Sequence, residues 1–374
     1  MTRSDVPPVR VAMVLAAGRG ERMRPLTAER AKPTLPVLGR PVLGRILHHL
    51  AGLGVRTFAV NAHHGRASIE EVLAAHAPES ARVELFPEET LMGTGGALAA
   101  PAGLLGEEPL FLLHNGDTLA DVPLETLAEA ASRSGAIGAL LVRPGRRDPY
   151  RPVLVKDGRF ARLGGDDAAP GPGEEEATYL GIGVLRREVL ERVPRDRPSD
   201  LFGDVLLPFL EEGRHLAVVR YEGPWLEFTS PEGYLGTLRR LVHGGRRARR
   251  VELPGGPAPV APRDSGVLFA AAGAEVDVAA ALHGAVVVER GARVRRGALV
   301  ISSVILENAE VPWNVTLERV VVGPGVRLAR SGCFRDGVLH RAGDTVCFTP
   351  FPGHLGPTPP GCMPRVCGLE VPAS

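Results

Sequence analysis

Val276, Leu282, Val288, Val294, Val300 and Leu306 recur at intervals of six, and Ala274, Ala280, Val286, Ala292, Ala298 and Val304 do the same two positions earlier. A helix repeats near 3.6 residues and a strand at 2, so neither alone carries this period. Hexads of aliphatic residues fit a β-helix, a triangular coil in which each face points one such side chain inward. The phase slips near Val311-Pro-Trp313 and resumes through Leu317 and Val326, which leaves room for about three or four coils. Within the coils His283 is the single histidine, which argues against acyl transfer on them.

The first two thirds of the chain follow another rule. Val11–Leu15, 57–61 and 82–86 are short apolar strands, another begins at Leu110 and ends in Asn-Gly-Asp117, and helices are expected over 41–53 and 68–77, the first stopped by Gly54. Strands and helices in alternation predict an α/β domain, with a Rossmann-like, mostly parallel sheet covered by helices on both faces. Ligands of such sheets sit at the carboxyl ends of the strands. At 374 residues two domains are expected. Forty-four cations against 43 anions give no reason to expect nucleic acid or an acidic membrane surface. Met1-Thr-Arg-Ser-Asp5 carries no signal-peptide core, and all four cysteines follow residue 332, so a cytoplasmic, disulfide-free protein is expected.

After the first strand comes Ala16-Ala-Gly-Arg-Gly-Glu-Arg-Met-Arg-Pro-Leu-Thr27, then Ala31-Lys-Pro-Thr-Leu-Pro-Val37. Gly18 and Gly20 let backbone N–H groups approach a ligand, and such amides form an anion-binding concavity. Arg19, Arg22, Arg24 and Lys32 add cations. The chain has 42 arginines and two lysines, Lys32 and Lys156. A lysine in this loop suggests a need for a compact ammonium in place of a planar fork. There is no G-x-x-x-x-G-K-[ST], and Met23 stands where a dinucleotide fingerprint wants glycine, so neither a P-loop NTPase nor a NAD site is expected.

The stretch resembles the signature of the nucleotide-sugar pyrophosphorylases, L-A-A-G-x-G-T-R-L-x-P-L-T followed by P-K-P-L-L-P-V. Glu21, Met23 and Ala31 depart from it. Further segments extend the resemblance from about residue 10 to 241. Glu88 to Ala97 is similar to the family's E-x-x-x-L-G-T-A-G, and Leu110 to Asp117 ends in its G-D pair. Trp225 to Tyr234 is similar to W-x-D-I-G-T-P-E-x-Y, with Glu227 in place of the aspartate. Ser199 to Leu210 resembles a helix of the mannose-1-phosphate guanylyltransferase branch, and some relatives carry a hexapeptide-repeat domain, a left-handed β-helix.

The resemblance implies a reaction between a nucleoside triphosphate and a sugar-1-phosphate that gives an NDP-sugar and pyrophosphate. It places Leu15, Ala16, Ala17, Gly18, Gly20, Glu88, Gly93, Thr94 and Gly116 on the nucleotide, and Gly181 near the sugar. Arg22 would hold pyrophosphate, Lys32 would neutralise the phosphates, and Asp117 with Glu227 would hold Mg²⁺. Glycines at 93, 95 and 96 are expected to let a planar base lie against bare backbone. GTP and mannose-1-phosphate are the favoured substrates, with UTP or dTTP and another hexose-1-phosphate next. A catalytically weak nucleotide-sugar-binding paralogue is the alternative, because a longer carboxylate at 227 shifts a ligand for an ion that wants octahedral geometry.

Residues 9–243 are expected to form the nucleotidyltransferase domain, 244–262 a linker, 263–330 the β-helix and 331–374 a loosely ordered tail. Lys156 lies in a hairpin turn within 153–159, Arg159 to Gly164 and the acidic Gly/Pro-rich run 164–176 read as a mobile loop, and 177–185 as a strand. His63 and His64 follow the second strand as local structure or site lining. Without a C-x-x-C pair, Cys333, Cys347, Cys362 and Cys367 offer no strong zinc motif. The implied partners are the two substrates and, through the C-terminal domain, further copies of the chain, with no nucleic acid and no membrane.

Overall fold

The computed structural model describes residues 6–165, 169–263, 265–328 and 331–354, together with the backbone of 369–370. The chain forms two compact units, one of residues 1–19 and 43–226, the other of 20–42 and 227–374. This differs from the consecutive division expected at 243. The segment that begins at the second glycine of the opening loop, Gly20, belongs with the C-terminal residues.

The first unit is built on a sheet of nine strands. They are β1 (Val11–Leu15), β2 (Thr57–Ala62), β3 (Arg82–Pro87) and β4 (Leu110–Asn115), then β6 to β10. Here β5 is the short Thr118–Ala120 outside the sheet, β6 Ala136–Pro144, β7 Val153–Lys156, β8 Arg159–Leu163, β9 Glu175–Arg186 and β10 His215–Arg220. The order is β3-β2-β1-β4-β9-β6-β10-β8-β7. The first four strands are parallel, as the crossover helices α1 (Val42–Gly52) and α2 (Arg66–His76) require. The other half corrects the mostly parallel expectation, because β9 runs antiparallel to both β4 and β6. Only β6 and β10 pair in parallel there. The β7–β8 turn uses Asp157 and Gly158, both at positive φ, as a two-residue hairpin demands.

Apolar side chains of β1, β4, β6 and β9 are buried on the sheet, among them Met13, Phe111, Leu140 and Leu185. Strand β9 starts two residues before the expected 177, and Glu174 just ahead of it pairs with Arg162 at 2.8 Å. Both ends of the supposed loop over 164–176 are therefore tied to the sheet, at Gly164 and at 174–176, and 166–168 lie outside the described residues. The helix expected over 199–210 is a π-helical turn, Leu201–Leu206, that runs into an α-helix, Leu207–Glu211. Asp200 caps it by accepting from the Gly203 N–H at 2.8 Å.

In the second unit the hexads become stacked parallel coils. Leu282 pairs with Val300, eighteen residues on, and Val300 with Leu317, seventeen on. A third face pairs Glu275–Val276, Arg293–Val294 and Glu310–Val311 in the same sense. The missing residue falls between Ile301 and Val304, where His283 still pairs eighteen on but Val287 pairs seventeen on. The slip thus lies earlier than Val311. Ser302 takes positive φ there, and buried Ser303 sits at an inward position. The Ser303 hydroxyl donates to the Ile301 carbonyl at 2.8 Å and accepts from the Val320 N–H at 3.0 Å, so it replaces an aliphatic side chain without an unpaired polar atom.

The segment expected as a linker is also ordered. Arg250–Val251 and Ala258–Pro259 pair antiparallel, with Val251 and Ala258 buried. Beyond the coils, Gly332–Ala342 pairs in parallel with Val315–Val322 and then turns antiparallel into Thr345–Pro350. This corrects the loosely ordered tail for its described part: the period stops because the winding gives way to a hairpin. Cys333 is disulfide-bonded, which corrects the disulfide-free expectation. Cys362 and Cys367 lie outside the described residues. Among the described residues no helix is long and apolar enough to cross a membrane.

Candidate active site

In the first unit the carboxyl ends of β1, β2 and β4 stand side by side, with Leu15 level with Asn115. The Gly116 N–H donates to the Leu15 carbonyl at 2.8 Å, and a Cβ on Gly116 would lie 2.7 Å from that same oxygen. Glycine is thus required where the strand hands over to Asp117, which is partly exposed at this edge.

Asn61, buried at the end of β2, organises the neighbouring loops. Its Oδ1 accepts from the Ala16 N–H at 2.7 Å and its Nδ2 donates to Glu88 Oε1 at 2.7 Å. Glu88 Oε2 accepts from the Met92 N–H at 3.0 Å, and His63 Nδ1 lies 2.9 Å from the Glu88 carbonyl. Glu88 therefore joins two loops, and His63 serves local structure. Asn61 was not singled out from the sequence, although a polar residue closing an apolar strand, as Asn115 also does, is the signal.

Gly18 is exposed, and a Cβ there would meet nothing within 4 Å. Ala16 and Ala17 beside it are buried and Leu15 is partly so. Gly93, Gly95 and Gly96 behave differently. Ser199 and Asp200 lie against them, and a Cβ on Gly93 would stand 2.5 Å from the Ser199 carbonyl oxygen. The Gly95 N–H donates to that carbonyl at 2.9 Å. The Thr94 hydroxyl donates to Asp200 at 3.2 Å and accepts from the Leu201 N–H at 3.0 Å. The bare backbone expected to receive a base thus receives the chain itself. Gly181, at positive φ, lies beneath Asn115, whose Nδ2 a Cβ would approach to 2.2 Å.

In the second unit, Gly20 takes φ 62° and its Cα faces Lys32, whose Cβ a methyl group would approach to 3.3 Å. Thr27 Oγ1 donates to the Gly20 carbonyl at 2.7 Å, closing the loop over this contact. Arg22 lies exposed on the turn Glu21–Met23. Lys32 begins a tight turn, Lys32–Thr34, and its Nζ stands 4.0 Å from Glu227 Oε1, with side chains only 10% and 13% exposed. Lys32 and Glu227 are brought together; Asp117 belongs to the other unit.

In the first unit, His114 on β4, three residues ahead of Asp117, is fully buried, and its pKa is lowered to about 4, chiefly by desolvation. It is neutral at pH 7, with Nδ1 2.7 Å from the Asn115 carbonyl. Asp117 in the first unit and Glu227 in the second each offer a hard carboxylate oxygen, the donor type that Mg²⁺ prefers. Among the described residues no cluster of three or more His, Cys, Asp or Glu could hold a metal by itself.

A glycine loop leaving the first strand of the sheet's parallel half, with a carboxylate at the end of the adjacent strand, lies where open α/β sheets bind their ligands. Residues 11–152 match the model of the nucleotidyl transferase family. The chain is 31% identical over 232 residues to N-acetylmuramate alpha-1-phosphate uridylyltransferase of Neisseria meningitidis serogroup B, covering 62% of this chain and 94% of that one. It is 28% identical over 315 residues to mannose-1-phosphate guanylyltransferase of Mycobacterium tuberculosis, covering 82% and 83%. UTP–glucose-1-phosphate uridylyltransferase of Synechocystis is 26% identical over 341 residues, 85% of each chain. The fold is similar to the crystal structure of HddC from Yersinia pseudotuberculosis, with TM-score 0.52 and 20% identity over 62% of this chain and 99% of that one. The chain belongs to the sugar-1-phosphate nucleotidyltransferase family and is an enzyme of that class.

Proposed function

We propose that the enzyme joins GTP to mannose-1-phosphate and releases pyrophosphate, with UTP or dTTP and another hexose-1-phosphate as the alternative pair. A phosphate oxygen of the sugar-1-phosphate attacks the α-phosphorus, the bond to the β,γ-pyrophosphate breaks, and pyrophosphate leaves. Such transfers ask a protein for positioning and charge neutralisation and need no protein nucleophile. The observation that carries this reading is Gly18: nothing in the fold demands a glycine there, which fits backbone kept bare for phosphate.

In this reading Leu15 to Gly18, Gly20 and Gly116 face the nucleotide, Glu88, Gly93 and Thr94 act near the base, and Gly181 lies near the sugar. Arg22 holds the departing pyrophosphate and the Lys32 ammonium neutralises the phosphates between which transfer occurs. Asp117 holds Mg²⁺, with Glu227 as second carboxylate. When bound, that ion screens charge on the attacking and leaving oxygens. The C-terminal coils are read as a left-handed hexapeptide β-helix through which copies of the chain associate, in a cytoplasmic enzyme.

The test is a matrix of four nucleoside triphosphates against several sugar-1-phosphates with Mg²⁺, read by pyrophosphate release. The expected maximum lies at GTP with mannose-1-phosphate. A maximum at a uridine or thymidine pair replaces the substrate assignment, and no turnover with any pair returns the chain to a nucleotide-sugar-binding role.

A further inference from the structure

The segment that carries Lys32 is anchored at several points inside the second unit, three of which bear on the turn and the loop after it. Arg30 reaches Glu307, Nη1 to Oε2 at 3.3 Å, while its Nε donates to Thr34 Oγ1 at 3.1 Å and its Nη2 to the Thr34 carbonyl. Thr34 Oγ1 donates in turn to the Ala31 carbonyl at 2.8 Å. The guanidinium thus spans the turn Lys32–Thr34 and ties it to the coil. The Tyr234 hydroxyl, fully buried on the helix Pro231–Gly244, donates to the Pro36 carbonyl. Glu289, 1% exposed, accepts the Gly39 N–H at 3.2 Å on Oε1 and 3.0 Å on Oε2.

Glu289 and Glu307 stand just past the strands that end at Val288 and Ile305, on successive coils. A carboxylate buried to this degree is costly unless hydrogen-bonded, and hydrophobic packing alone needs none here. The loop is also shaped for the contact. Gly39 takes φ 83°, and a Cβ on it would press on Phe269 at 3.1 Å. Coil and loop are fitted at the backbone, next to the residue whose position decides the chemistry.

We infer that Glu289 and Glu307 are positioning residues for Lys32: by fixing residues 30–39 on the coil they set where its ammonium stands during transfer. The coil is thereby part of the phosphate-handling machinery. This rests on Lys32 acting on the phosphates, as proposed above. Misplacing a reacting group by about 1 Å can cost about 100-fold in rate, and the loss belongs in turnover when the interaction is made in the transition state.

The experiment uses the full-length chain and pyrophosphate release from GTP with mannose-1-phosphate and from UTP with glucose-1-phosphate, in Mg²⁺. Glu289→Ala and Glu307→Ala are expected to lower kcat about 10- to 100-fold with little change in nucleotide KM. Glu289→Gln, which keeps an acceptor for the Gly39 N–H, is expected to recover much of the loss. In a Lys32→Ala background the Glu289 change adds no further loss, because residues acting as one unit are not additive. Glu310→Ala, which removes one of the coil's two acidic partners of Arg295, keeps the wild-type kcat. Thermal melting confirms that each variant compared is folded. Should Glu289→Ala not fold, Glu289→Gln and the more exposed Glu307→Ala carry the comparison. Wild-type kcat in Glu289→Ala and Glu307→Ala, or losses that multiply with that of Lys32→Ala, overturn the positioning role alone. A wild-type rate in Lys32→Ala, or no wild-type turnover in either mixture, overturns the reading of Lys32 and the positioning role with it.

Discussion

Gly18 and Gly93 each open a glycine-rich turn, yet a Cβ added at 18 meets nothing within 4 Å while one added at 93 would lie 2.5 Å from the Ser199 carbonyl oxygen. At 93 to 96 the missing side chains make room for residues 199 and 200 of the same chain. At 18 they make room for nothing that the described residues supply. Glycine in a motif records that backbone must stay accessible, and only the packing says to whom. The two turns should accordingly fail in different assays when given a methyl group.

The largest effect is expected at Gly93→Ala, which adds a clash with fixed backbone to an unfavourable positive φ of 74°. We expect a loss of about 2–4 kcal/mol, read as a lower urea midpoint with unchanged slope. A variant as stable as the wild type would break the contrast. A second test moves to His114, another group at this sheet edge enclosed by the chain. Its folded pKa of about 4 lies below the unfolded 6.5, so the unfolded state takes the proton first as pH falls. Stability present above pH 6.5 is then lost between about 6.5 and 4, by roughly 3 kcal/mol, and His114→Phe should flatten that slope in denaturant titrations.

Asn61→Leu follows at about 1–3 kcal/mol, because the Ala16 N–H and Glu88 lose their partner. A larger drop in activity than in stability would show that the bond aims the opening loop as well as satisfying it. Gly18→Ala comes last in stability, within about 0.5 kcal/mol, where the value for an unremarkable surface site is expected. Its turnover should nevertheless fall about tenfold or more if phosphate needs the bare backbone. Unchanged turnover would remove the main support for the nucleotide at that loop.

Local patterns were legible where one period ruled. Apolar runs located β1 to β4 closely, and the hexads located the inward positions of the coils. The antiparallel insertion of β9 was not legible, because a strand buried on both sides reads the same in either direction. The one-residue slip was placed too late, since Val304 and Leu306 keep the hexad while the backbone at Ser302 has already shortened the coil. Asp117 and Lys32 stood out through motif and rarity. Asn61 and Glu289 did not: one is a single polar residue ending a strand, the other a lone acid in a turn. What makes them matter is a partner 45 residues away for Asn61 and 250 away for Glu289.

The grouping of residues 20–42 with 227–374 bears on how this protein can be cut or recombined. A fragment ending near 243 would keep every signature residue through Tyr234, yet discard the acids that tether the lysine-bearing turn. Grafting a foreign solenoid would meet the same obstacle unless the graft also exchanged that early stretch. For engineering purposes the chain has a discontinuous module, and the sensible splice points lie near 20, 42 and 227.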